Sequence, residues 1–160
     1  MPGRRIIIIF LLPVVLFLGY LFFRTPQPDP WLLVVRATAL NQNIYSITVK
    51  PNDKFALSYT HSVSGRPVSG TFIITGRGEI KPLSTEFDSY GPGLPVPDDS
   101  TEYEIKDGLI IVYHDEDPRD RIRLFVSPLT GERLIINGIE YDLTSHQEKP
   151  LLLEIYILIP

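Results

Sequence analysis

From Trp31 onward the chain is cut into short lengths. Runs of four to nine residues rich in valine, isoleucine, leucine and aromatics recur about every 12 residues, with glycine, proline, asparagine and aspartate between them. Nothing in this region sustains the 3.6-residue period of an amphipathic helix, which leaves strands as the only regular element the pattern supports. The runs fall at 31–39, 44–50, 55–63, 68–75, 79–87, 102–106, 109–114, 121–127, 133–137, 139–143 and 151–159. Asp107-Gly108 and Asn137-Gly138 are strong hairpin signals, because a two-residue type I′ turn needs positive φ at both central positions; Arg77-Gly78 is a weaker one. Most connections suit antiparallel neighbours, so the expected fold is all-β, an antiparallel meander forming a sandwich or small barrel over residues 31–160. The chain has no cysteine, so this domain is held by apolar burial and backbone pairing, without disulfides or thiolate–metal bonds.

The first 24 residues read differently. Ile6 to Phe23 is free of charge and bracketed by Arg4, Arg5 and Arg24. At ~1.5 Å per residue a helix over this run spans ~27 Å, the thickness of a bilayer's hydrocarbon core. A cleaved signal peptide is the competing explanation, but no small-x-small site follows directly, and Ala37-Thr38-Ala39 lies downstream inside a strand-like run. One N-terminal transmembrane helix over 1–24 is therefore expected, followed by a stalk, "TPQPDP" at 25–30, whose prolines favour an extended path. The basic residues before the helix favour an N-terminus inside the cytoplasmic membrane and a C-terminal domain outside the cytoplasm. Without its three flanking arginines the chain keeps 12 basic and 19 acidic residues, a formal charge of −7, which argues against nucleic acid as a partner.

Two stretches concentrate unusual residues. In "YTHSVSGRPV" strand alternation sends Tyr59, His61 and Val63 to one face and Thr60 and Ser62 to the other. Ser62 then cannot hand its proton to His61, so the segment is expected to serve as a contact or a hairpin end, with no catalytic residue assigned. In "YGPGLPVP", residues 90–97, three prolines and two glycines make a shaped loop, either a crossover between β layers or a surface presenting Tyr90 and Leu94. "HDEDPRD" at 114–120 alternates carboxylates, yet Arg119 stands where a calcium ligand is needed and no glycine follows. His61, His114 and His146 have no ligand spacing, so neither a metal nor another cofactor is expected.

"FALSYTHSVSGRPVSGTF" and "LSTEFDSYGPGLP" together resemble an uncharacterised prokaryotic family of small membrane-anchored proteins with a YTHSV segment and a GxGLP loop, associated with TAXI-type TRAP transporters. Tyr59 to Val63, Pro67, Val68, Phe87, Tyr90, Gly91, Gly93, Leu94 and Pro95 carry the match. The chain departs from the family pattern at Ser64 and Gly70, where acidic residues are usual, and at Pro92, where alanine is. The resemblance implies an accessory domain that contacts a transporter membrane subunit or solute receptor, with Tyr59, Thr60, His61, Ser62, Tyr90, Gly91, Gly93, Leu94 and Pro95 as partner- or ligand-binding candidates. A solute-binding or sensing module acting on its own is the alternative reading, and a small hydrolase the third.

Overall fold

A computed structural model of the chain describes residues 29–98, 101–145 and 148–160. The expected anchor, the stalk up to residue 28 and His146 lie outside the described residues. Among the described residues no helix is long and apolar enough to cross a membrane.

The described chain is all-β. Its strands are β1 (Trp31–Ala37), β2 (Gln42–Val49), β3 (Lys54–Thr60), β4 (Pro67–Ile74), β5 (Ile80–Phe87), β6 (Tyr103–Lys106), β7 (Leu109–Tyr113), β8 (Arg121–Val126), β9 (Arg133–Ile136), β10 (Ile139–Asp142) and β11 (Leu151–Leu158). Each coincides with one apolar run of the sequence. The turn chemistry holds as well: Asp107, Gly108, Asn137 and Gly138 all have positive φ, as type I′ turns between β6 and β7 and between β9 and β10 require.

All pairings are antiparallel, but the order is more than a meander. One sheet has four strands, β2-β1-β11-β8, and the other seven, β10-β9-β3-β4-β5-β7-β6. The chain therefore changes sheet between β2 and β3, β7 and β8, β8 and β9, and β10 and β11. The two sheets share one apolar core: Leu33 and Val35 of β1, Leu153 and Ile155 of β11 and Val126 of β8 pack with Phe55, Ile74, Ile80, Leu134 and Ile136 of the larger sheet. Phe55 stacks on Phe72 with ring centroids 5.2 Å apart.

Register defines two ends. Leu32 pairs with Leu158 and Ala37 with Leu153, while Val126 pairs with Leu151, so β8 finishes at the end of the small sheet remote from Trp31. Thr60 donates its N–H to the Thr130 carbonyl at 2.8 Å, which puts the end of β3 at that same remote end. The opposite, entry end holds the β4–β5 turn, where a Cβ on Gly78 would meet the Ile159 side chain.

Phe55 is the largest side chain sealed between the sheets. Phe55→Ala is expected to lower the unfolding free energy by about 3–5 kcal/mol, whereas Leu129→Ala on the surface changes it by less than about 0.5 kcal/mol; urea titration followed by circular dichroism measures both.

Candidate functional site

Three loops meet at the remote end: 61–66 after β3, 88–95 after β5 and 127–131 after β8. The first corrects the sequence reading. Strand β3 stops at Thr60, and residues 61–66 close a tight hairpin in which His61 N–H donates to the Arg66 carbonyl and Gly65 N–H, at φ +66°, to the His61 carbonyl, both at 2.8 Å. Because this turn replaces the last three residues of the expected strand, alternation ends before Val63, which is 72% exposed and not on the apolar face. His61 does turn inward and Ser62 outward, as alternation requires, and His61 is 5% exposed.

The His61 ring is fixed at both nitrogens. Ser64 N–H donates to Nδ1 at 3.2 Å, so Nδ1 is an acceptor and Nε2 carries the proton, which it donates to the Pro92 carbonyl at 3.0 Å. The Ser64 hydroxyl lies 3.1 Å from Nδ1. The serine that meets the histidine is thus Ser64, three residues on, and not Ser62. Its backbone N–H, a natural donor toward an oxyanion, is already spent on Nδ1. Gly91 packs on the ring so closely that a Cβ there would lie 2.7 Å from Cε1. The Arg66 guanidinium adds a second tie between the two loops, 2.6 Å from the Asp88 carboxylate. The other Asp88 oxygen and the Ser89 hydroxyl are buried without a hydrogen-bond partner among the described residues.

Held this way, the loop does not change layers. It joins β5 to β6 within one sheet, passing over β7, which corrects the crossover expectation. Leu94 is not presented outward but is 8% exposed, in a second apolar cluster with Val68, Phe87, Ile110 and Val112, against which Tyr59 packs. Tyr90 does reach solvent, its ring edge-on to Phe87.

Between the two clusters lies an open cleft of about 360 Å³. Its origin is legible in the register: Leu134, Leu57, Gly70, Thr85 and Val112 stand side by side across the large sheet, and in the middle of that row Gly70 has no side chain. The walls are Tyr59, Val68 and Phe72, the loop residues Gly93 to Pro95, and Leu124 and Phe125 of β8. Glu132 closes one side. It is buried, accepting the Ser127 N–H at 2.8 Å on one oxygen and the Thr130 hydroxyl at 2.5 Å on the other. Burial raises the Tyr59 phenol above its ordinary pKa, and the Glu132 charge adds to the effect. Thr85 reaches from the floor to His114 Nε2 at 2.8 Å.

Of the residues singled out from sequence, Tyr59, His61, Gly91, Gly93, Leu94 and Pro95 gather at one place, His61 and Gly91 as the clamp and the others on the cleft. Thr60 is exposed, in a shallow depression beside Pro128, and Ser62 points to solvent. Glu132 is not among those candidates, and Gly70 and Ser64 stand in the sequence only as departures from the family pattern, not as site residues. A glycine inside a strand run was the available signal for Gly70, whereas the burial of Glu132 arises only from the β8–β9 loop folding onto β3. Two of the four carboxylates of "HDEDPRD" form ion pairs, Asp115 with Lys81 at 3.4 Å and Glu116 with Arg119.

The clamp is tested by Gly91→Ala, expected to cost about 1–3 kcal/mol by forcing the loop off the His61 ring. His61→Ala is expected to cost a similar amount, since it strands the Pro92 carbonyl and the Ser64 N–H. The double variant should cost clearly less than the sum, and Ser62→Ala less than about 0.5 kcal/mol, all by chemical denaturation.

No curated protein and no solved structure matches the chain. The family model described as Domain of unknown function (DUF1850) matches residues 55–143, more than half of the 160. The matched stretch takes in the whole large sheet except Lys54, together with β8, the three loops of the remote end and every residue lining the cleft. With the loop clamp and the cleft both inside it, the chain belongs to the DUF1850 family.

Proposed function

We propose that this protein is a single-pass, membrane-anchored extracytoplasmic domain that acts as an accessory of a TAXI-type TRAP transporter, and that its partner is the solute receptor. The observation that carries the choice is the position of the clamped loops. They lie at the end of the domain opposite Trp31, where the chain enters from the anchor side. On the reading that an anchor precedes Trp31, a surface about one strand length of seven to eight residues, roughly 25 Å, from the entry point is turned away from the bilayer. It suits a soluble extracytoplasmic partner better than a membrane subunit embedded beside the anchor.

The chemistry of that end supports binding. Val63, Tyr90 and Leu129, three of the large exposed apolar side chains, are displayed on its three loops. Two of the loops are tied together by the His61–Pro92 hydrogen bond and the Arg66–Asp88 pair, so little ordering entropy is lost on contact. The Ser64–His61 contact is read as part of this clamp and not as a nucleophile.

Photo-crosslinkers placed at Val63, Tyr90 and Leu129 of the full-length chain in native membranes are expected to capture the solute receptor. Crosslinkers at Asn52 and Arg77, at the entry end, are expected not to. Capture of the membrane subunit from the entry end alone would overturn the assignment. The anchor itself predicts that the protein stays in the membrane fraction after an alkaline carbonate wash.

A further inference from the structure

We propose that the cleft between the sheets is a binding site for a small organic amine, an apolar body carrying a protonated nitrogen that is received by Glu132. The inference stands apart from the transporter partnership and rests on three features of the cleft. The first is an imbalance of charge. Glu132 is 8% exposed, and both donors that reach its carboxylate, the Ser127 N–H and the Thr130 hydroxyl, are neutral. Among the described residues no lysine, arginine or histidine pairs with it, although seven other contacts between basic and acidic side chains are formed. Burying a carboxylate is far more costly than burying an amide, and buried charges are ordinarily matched by an opposite charge. A glutamine could accept a hydrogen bond from either donor and hold the loop; the acid is the group that calls for a cation.

The second feature is the apolar wall. Leu57, Val68, Phe72, Leu94 and Leu124 line the space together with the aromatic side chains of Tyr59 and Phe125. Such walls bind hydrocarbon and favour a cation over an anion, through the ring quadrupole as well as the Glu132 charge. An anionic organic acid meets the opposite field.

The third is the empty floor. Gly70 sits mid-strand, where glycine weakens a sheet, and the cleft opens directly over it. Its φ is not in the left-handed region, so backbone conformation does not require glycine there. A Cβ would stand 3.3 Å from the ring of Phe72, another residue of the cleft lining. A volume of about 360 Å³ accommodates a ligand of the size of an arylalkylamine.

The test uses full-length protein in lipid nanodiscs, with empty nanodiscs subtracted, in equilibrium dialysis against 2-phenylethylamine and n-hexylamine. The matched neutral 2-phenylethanol and the anionic phenylacetate serve as comparators. The amines are expected to bind saturably and at least roughly 10-fold more tightly than either comparator, as one charge-assisted hydrogen bond implies. Glu132→Gln should abolish that preference while leaving the thermal melt in place. Should Glu132→Gln fail to fold, Gly70→Ala carries the test, and it should weaken amine binding several-fold without changing the order of preference. Equal binding of amine and alcohol, absence of saturable amine binding, or undiminished amine binding in the folded Gly70→Ala variant would each overturn the proposal.

Discussion

Four strands cannot cover seven. The small sheet seals β9, β3 and the entry-side halves of β4 and β5, and the rest of the large sheet's inner face must find another cover. The loop that leaves β5 provides it, laying Leu94 over Val68, Phe87, Ile110 and Val112. A loop performs this task only if its backbone is held in one place, because an unpinned segment with two glycines loses conformational entropy comparable to what one buried leucine returns. The hydrogen bond from His61 Nε2 to the Pro92 carbonyl, with Gly91 flat against the imidazole, is the pin. The second apolar cluster, the cleft wall and the shape of the remote end all hang from it.

This explains why the two unusual sequence segments are unusual. YTHSV and YGPGLP are separate in the chain and form one object in space. The histidine must follow a strand closely enough to inherit its inward direction, the serine three residues on must return its N–H to Nδ1, and the glycine must have no side chain. Prolines on either side of Gly93 limit the loop's alternatives before it docks. The residues in these motifs are spent first on architecture, and any partner meets the surface they shape.

Strand positions were legible because they depend on local facts: apolar alternation, Asp-Gly and Asn-Gly turns, and proline at strand edges. Each of the eleven runs became a strand. Nine of the eleven runs extend one to three residues past the C-terminal end of their strand, most visibly at 55–63, because alternation contains no term for the hairpin hydrogen bonds that stop β3 at Thr60. The partition into two sheets was not legible at all, since pairing β9 with β3 and β11 with β1 depends on contacts between segments far apart in sequence. For the same reason the alternation argument placed His61 and Ser62 correctly with respect to each other yet overlooked Ser64, whose approach to the ring depends on the turn at Gly65. Glu132 looks in sequence like any loop acid after a glycine, and only the contact between loop 127–131 and β3 takes it out of solvent.

The pairing of β1 with β11 has a kinetic consequence. Leu32 and Leu158 are neighbours in the small sheet, so the central ladder of that sheet closes a loop that contains every other strand. Loop closure on that scale is entropically late, and folding rates fall as contacts become more distant in sequence. The large sheet, built mostly from adjacent hairpins, is able to form first, with its inner face and the Glu132 cleft open. The small sheet then acts as the closing step: until β11 arrives, β1 and β8 have no common neighbour, and their unpaired edges are available to any other extended chain. Factors that bind exposed strand edges should therefore meet this domain during a window set by the arrival of its last strand, and mutations in β11 should lengthen that window more than equal mutations in β4.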